Sequence, residues 1–318
     1  MDSLVFAVML GSAFLHATWN AWVKARPDPG GALAALVIGA GLPNLVLLSF
    51  SGLPPAAAWG WVALTVMLSA GALTLLGAAY REGDFAVAYP LIRGLIPVVL
   101  VLAAAPLFGE RPSPSDAAGI VCVSAGLVAI GWESARRTHT MSLKGLGFAA
   151  LAAGVTAASV LTDATGARVA QNPFAYAATI SVLNALAIAG VQARSRNVPA
   201  LLAQHWPVAT FGALISMISY VMFIWSLMRA PVAIVVAVRE TSMLFALAIA
   251  ALLLRERIGP WRWSVVALMF AGVVLIRLSG WTLRDDPPHG CGRAHLGARL
   301  VRCPHPRATA ERGGAPPR

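Results

Sequence analysis

Two stretches of this chain, 56–79 and 206–228, run without a single charged residue. An α-helix needs roughly 20 apolar residues to cross the ~30 Å hydrocarbon core of a bilayer, and both stretches meet that length. Ten segments of this kind can be marked, at 3–23, 31–51, 57–80, 85–108, 115–132, 145–166, 173–193, 206–228, 230–254 and 261–279. Only 12% of the 318 residues are charged. A soluble domain needs about 25% to cover its surface, so lipid must replace water over most of this exterior. The expected fold is all-α and integral to the membrane, with about ten transmembrane helices. The longest internal connection, Glu133–Lys144, is too short to hold a soluble domain. Function is therefore expected within the membrane or at its faces. The first segment, 3–23, carries Asp2 but no cation ahead of it and contains His16, Trp19 and Asn20, which suits a structural helix better than a cleaved leader.

The sequence also matches itself. Shifted by 146 residues, Arg93 falls on Arg239, Glu110-Arg111 on Glu256-Arg257, Pro114 on Pro260, and Ala125-Gly126 on Ala271-Gly272. Leu15 and His16 fall on Leu161 and Thr162, so the first helices of the two halves correspond as well. Chance alignment of apolar segments pairs leucines and alanines. It seldom pairs a mid-membrane arginine and a charged corner together. Each half holds five helices, an odd number, so the second crosses the membrane in the opposite sense to the first. Inverted repeats of this kind are typical of secondary transporters, whose substrate sits near the midplane between the halves. The expected division is a first repeat at 1–133, a connection at 134–144, a second repeat at 145–280 and a disordered Arg/Pro-rich tail at 281–318.

Loop charge gives an orientation. The connections on the N-terminal side hold Arg111, Arg168 and Arg229, whereas the other side holds eleven cations, among them Lys24, Arg81, Arg136, Lys144 and Arg262. The positive-inside rule makes the second side cytoplasmic, with both termini outside, although the tail adds seven arginines on the N-terminal side. The tail residues His289, Cys291, His295, Cys303 and His305 match no tetrahedral metal-site spacing, and Cys122 reads as a small apolar residue within a helix. No cofactor or metal is expected, and no nucleic-acid partner. The tail's charge suits anionic lipid heads.

Ionisable side chains inside spans are rare because each costs at least ~2–3 kcal/mol there, which makes them functional candidates. Arg93 lies about eight residues into the fourth span, and Arg239 with Glu240 lies at the matching depth of the ninth, roughly 12 Å in at 1.5 Å per residue. Both arginines are candidates to face a central cavity and hold a carboxylate or phosphonate by bidentate bonds. The plainer alternative is internal pairing, Arg239 with Glu240 or Asp163. Successive helical residues point about 100° apart, so Arg239 and Glu240 cannot face one partner. His16, Trp19 and Asn20 share one face of the first helix, with Lys24 extending it. That face is expected to line the cavity or to bond neighbouring helices, with His16 a proton-titrating or substrate-contacting group and Trp19 a wall. Asp163 and Glu240 are further proton-coupling candidates; alternatively Asp163 lies near its helix end, paired with Arg168. Tyr220, with Tyr89, Ser216 and Ser219, completes the expected lining. Glu110 and Glu256 read as architectural corners. Pro90, Pro97 and Pro106 should let the fourth span bend, and the ninth has no counterparts.

The corner text PLFGERPSP…SAGLVAI at 106–130 and LLLRERIGP…FAGVVLI at 252–276 resembles the drug/metabolite transporter superfamily, in particular its EamA-like members. The resemblance covers residues 3–279, and HATWNAWVK at 16–24 is similar to a subgroup found beside phosphonate-utilisation genes. It implies a multi-pass transporter of small metabolites in a bacterial inner membrane, with termini in the cytoplasm, while the two fused halves themselves lead to the expectation of a monomer or weak homodimer. The loop charges argue the reverse for the termini. An intramembrane enzyme is the competing class, but neither an H-E-x-x-H pair nor a G-x-S-x-G elbow occurs. No G-x-x-x-x-G-K-[ST] loop is present to use ATP. A scaffold or sensor would not need arginines at matched depths in both halves.

Overall fold

The computed structural model describes residues 2–82, 85–110, 112–138, 142–253 and 259–279. Arg111, Arg255, Glu256, Arg257 and the tail from 281 onward, with its cysteines and histidines, lie outside the described residues. The described chain is helical throughout: α1 (Ser3–Lys24), α2 (Pro29–Gly39), α3 (Gly41–Ser51), α4 (Trp59–Glu82), α5 (Phe85–Phe108), α6 (Pro114–Thr138), α7 (Leu143–Ala170), α8 (Pro173–Gln192), α9 (Val198–Gln204), α10 (Ala213–Leu227), α11 (Val232–Arg239), α12 (Ser242–Leu253) and α13 (Pro260–Leu278). Among the described residues ten spans are long and apolar enough to cross a membrane, with α2–α3 and α11–α12 each forming one interrupted span. A short π turn, Val208–Gly212, leads into α10. The start signals are local. Asp2, Asp28, Ser142 and Asn172 each accept a backbone N–H from the first turn they precede, and prolines open α2, α6, α8 and α13.

In lipid there is no hydrophobic drive between helices, so close packing of small residues holds them. The buried face of α7 is accordingly alanine with glycine and serine, and it lies antiparallel along α4, where Ser69 meets Ser159 and the Thr65 hydroxyl donates to Asp163 at 3.0 Å. α1 and α10 exchange reciprocal bonds at 2.8 Å, the Ser12 hydroxyl to the Ser219 carbonyl and the Ser219 hydroxyl to the Ser12 carbonyl. α2 and α3 lie on α8. α6 and α13 cross antiparallel at Gly119 and Gly272, each so near the other's backbone that a Cβ would stand 2.6 Å from the partner's carbonyl oxygen. α11 is buried on all sides from Val232 to Val238, which places the ninth span at the centre.

The interruptions do not fall where the prolines are densest. α5 runs unbroken through Pro90, Pro97 and Pro106, while the proline-free ninth span breaks at Glu240-Thr241. There the Thr241 hydroxyl bonds the Val238 carbonyl at 2.7 Å, and Glu240 turns its side chain to α5. A side chain that competes for a helix carbonyl is a recognised cause of such a break. The second span breaks at Ala40. Pro43 has no N–H for the Gly39 carbonyl, and Asn44 answers by donating its side-chain amide to the Ala40 carbonyl at 2.8 Å. Gly39 packs against the backbone of Ala209 in the π turn, a contact no side chain at 39 would permit.

One ion pair joins connections from the two halves at a membrane face, Arg196 to Asp28 at 2.8 Å. The Gly31 N–H first, and Arg196 second, hold the Asp28 carboxyl below its ordinary range. A depressed carboxyl contributes stability above its unfolded value and loses it as pH falls through the folded one. The thermal midpoint advantage of wild type over Asp28→Asn is therefore expected to be small at neutral pH, because both groups are exposed, and to disappear on acidification. Gly119→Ala or Gly272→Ala should lower stability by about 1–3 kcal/mol through forced separation of α6 and α13. Gly154→Ala, with nothing within 4 Å of its Cβ position, should not. Thermal unfolding of the three variants in detergent checks this.

Candidate functional site

The interruptions converge on one cavity of about 240 Å³. Its wall takes His16 and Trp19 from α1, the bent stretch Leu36, Val37, Ala40 and Asn44 from the second span, and Ser69 from α4. From the second half come Asp163 on α7, Ser181 and Asn184 on α8, Ser216, Met217, Ser219 and Tyr220 on α10, and Arg239 at the end of α11. Both halves therefore build it, and most of its polar groups are uncharged. The helix break orients the charges as well. Arg239 closes the C-terminal, partially negative end of α11, and Glu240 stands ahead of the partially positive start of α12.

Four charged groups sit at this depth, and only two of them pair. The Arg93 Nε donates to Glu240 Oε2 at 2.7 Å, and its Nη2 to the Ser242 hydroxyl at 2.8 Å. Arg239 takes no carboxylate. Its guanidinium carbon lies 3.9 Å from the centre of the Phe223 ring, and its Nη2 stands 3.4 Å from His16 Nδ1. The other nitrogen of the same imidazole, Nε2, stands 3.4 Å from Arg93 Nη1. Asp163 likewise has no cation in direct contact: Thr65 donates to its Oδ1 at 3.0 Å and Tyr220 to its Oδ2 at 3.2 Å. Tyr176, buried, extends that hydroxyl chain through Thr65 at 3.3 Å.

Several sequence expectations are corrected by this geometry. Arg93 does not stand on the cavity as a free anion clamp, because Glu240 and Ser242 engage it. Glu240 pairs with Arg93 rather than Arg239, and so is turned away from the cavity. Asp163 is not a helix-end partner of Arg168. α7 runs on to Ala170, Asp163 is 5% exposed, and Arg168 instead bonds Glu110 at 3.0 Å and the Leu227 carbonyl. Glu110 also accepts the Val232 N–H at 2.8 Å, so it ties the end of α5 to α7 and caps α11. Asn20 donates its side-chain amide to the His16 carbonyl at 2.8 Å, within its own helix. Tyr89 lies under the Arg93 guanidinium rather than on the cavity wall. His16, Trp19, Tyr220, Arg239, Ser216 and Ser219 do line the cavity. The sequence reading missed Asn44, Asn184, Thr65 and Phe223. The two asparagines had a signal: a carboxamide in the middle of an apolar span is as anomalous, in kind, as a charge.

Residues 143–278 match the EamA-like transporter family. The EamA-like segment begins with the first residue of α7 and ends with the last of α13, so it holds Asp163, Tyr220 and Arg239, while His16, Trp19 and Asn44 lie ahead of it. With the ten spans, it marks the chain as an integral, multi-pass membrane protein. A solved crystal structure of a protein shares the fold with a TM-score of 0.68 at 17% identity, over 86% of this chain and 96% of that one. No curated protein matches the chain.

The Arg93–Glu240 pair is well buried, with side chains 14% and 3% exposed. Removing one partner strands the other charge, which typically costs about 3–5 kcal/mol. Glu240→Gln should therefore unfold well below wild type in detergent. Arg93→Met combined with Glu240→Leu should recover most of the loss, because a volume-matched apolar pair leaves no orphan charge.

Proposed function

We propose that the chain is a secondary transporter that carries a small organic solute, anionic or zwitterionic, across the membrane by alternating access of the central cavity. The observation that carries the reading is the cavity itself: shared by both halves, and lined by hydrogen-bonding groups with a guanidinium that takes no carboxylate. Its volume of about 240 Å³ suits a small solute. The helix pairings support two inverted repeats at 1–133 and 145–280. α4 lies on α7 as α1 lies on α10, α5 on α7 as α1 on α11–α12, and α6 on its own counterpart α13. Exchange of conformations between such halves opens a fixed site to each side in turn.

At one face Glu110, Arg168, the Leu227 carbonyl and the Val232 N–H hold α5, α7, α10 and α11 together. In the proposed cycle that cluster parts when the cavity opens toward it. The EamA-like match supports small-molecule transport rather than catalysis.

The test is thermal stabilisation of the purified protein by a panel of carboxylates, phosphonates, amino acids, sugars and organic cations, followed by counterflow of the hit in liposomes. A ligand at one hundred times its Kd should add about 2.7 kcal/mol of stability. The expected hit is anionic or zwitterionic, is lost in Arg239→Ala, and exchanges across the liposome membrane. Hits confined to uncharged or cationic solutes overturn the substrate class. A hit that binds but never exchanges overturns transport.

A further inference from the structure

Away from the central cavity, a second cleft of about 420 Å³ opens at one end of the helix pair α6–α13. Its lining is short. Glu133 and Arg137 come from the last turns of α6, and Gly259, Pro260, Trp261 and Arg262 from the start of α13. α6 is the fifth span and α13 the tenth, so both of these ends reach the face opposite the chain's start. That is the face whose connections hold eleven cations, against three on the other. The volume falls in the ~300–1,000 Å³ range of small-molecule sites. Nothing in the proposed transport cycle uses it.

The charges of the cleft do not balance. Two guanidiniums share one carboxylate. Arg137 Nη2 lies 2.6 Å from Glu133 Oε1, while Arg262 Nε stands 3.8 Å from Glu133 Oε2, beyond hydrogen-bond reach. A third guanidinium, that of Arg136, lies over the Trp132 ring at 5.4 Å. The Glu133 side chain is 13% exposed, whereas those of Arg137 and Arg262 keep 72% and 40% of their surface open. Exposed ion pairs contribute little to stability, so folding does not explain two arginines on one glutamate. The start of α13 adds to the positive excess, because Gly259 supplies no side-chain cap to the first-turn N–H groups.

The surroundings suit a layer of lipid headgroups. Trp132, Trp261 and Trp263 stand at the same two helix ends, each more than half exposed. Amphipathic indoles gather at the membrane–water boundary, where their polar edge and apolar face are both served. From Trp263 an apolar track leads inward. Phe270 and Val274 follow at i+7 and i+11, on the same side of α13, and both are exposed.

We propose that this cleft seats the headgroup of an anionic phospholipid, its phosphate bridging Arg137 of α6 and Arg262 of α13, and an acyl chain lying along Trp263, Phe270 and Val274. A phosphate diester carries one negative charge, which is the amount by which the two arginines exceed Glu133. Its oxygens accept the forked N–H donors that Glu133 leaves unused. A zwitterionic headgroup brings its own cation and leaves the excess uncancelled. Residues 281–318 carry seven arginines against three acidic side chains, so like charge opposes the chain's own tail as the occupant. Bound there, the lipid clamps the end of the α6–α13 pair opposite the Gly119–Gly272 backbone contact.

The experiment is native mass spectrometry of the purified full-length protein in detergent, counting bound lipid in titrations with phosphatidylglycerol and phosphatidylcholine of identical acyl chains. One phosphatidylglycerol should bind about fivefold or more tightly than phosphatidylcholine, the effect of one arginine at an anionic lipid surface. Arg137→Gln and Arg262→Gln should each lose about fivefold, and the double variant should bind the two lipids alike. Glu133→Gln should tighten phosphatidylglycerol binding by a similar factor, because it frees both guanidiniums; a purely structural role for Glu133 would not raise affinity. Arg194→Gln, exposed on the same face outside the cleft, should match wild type. Equal binding of the two lipids by wild type overturns the proposal. An equal loss in Arg194→Gln overturns it as well, since the attraction is then spread over the whole face. Inorganic phosphate or glycerol 3-phosphate that displaces the lipid at the lipid's own concentration assigns the cleft to a soluble anion and sinks the lipid. If a variant fails to fold, wild-type selectivity and the soluble-anion competition decide.

Discussion

Lipid offers the backbone no hydrogen bonds, and most of what this chain does with its sequence follows from that. A segment crossing the hydrocarbon must satisfy its own amides, which makes it a helix, and any lapse in the ladder must be hidden in protein or opened to water. The lapses here are few and gathered together. The second span breaks at Ala40, the eighth starts in a π turn, and the ninth breaks after Arg239. Ala40 and Arg239 lie on the cavity wall, and the π turn packs against Gly39 beside it. The irregular backbone gathers around the cavity because a membrane tolerates it only where protein buries it or water reaches it.

The same scarcity of solvent sorts the charges. Arg93 and Glu240 lie on different spans and neutralise each other, which couples α5 to the start of α12 without a ligand. Arg239 and Asp163 are served only by an aromatic face, a histidine edge and hydroxyls. Such partners hold a charged side chain in position without cancelling its charge. A salt-bridged pair and two charged groups without a direct ionic partner thus stand side by side, distinguished by which residues point at which.

That distinction explains how far the sequence could be read. Ten spans follow from uninterrupted apolar length, which is a one-dimensional property, and so does the depth of Arg93, Arg239 and Glu240. Direction around the helix axis is not one-dimensional. Whether Glu240 meets Arg93 or Arg239 depends on how α5 lies against the ninth span, and no local pattern encodes it. Asp163 was misplaced for a simpler reason. α7 continues to Ala170, four residues beyond the apolar segment read from the sequence, and that carries Asp163 inward. The break at Glu240-Thr241 carries neither glycine nor proline; its cue was the adjacency of opposite charges, which one continuous helix face cannot serve. Asn44 and Asn184 were overlooked because uncharged amides barely lower the hydropathy of an apolar run, even though burying one without a partner is costly.

The four central groups, two guanidiniums and two carboxyls, have formal charges that cancel. A charge moving through the membrane potential gains or loses about 2.3 kcal/mol per 100 mV. A set of central charges that sums to zero presents that field with no net charge to act on.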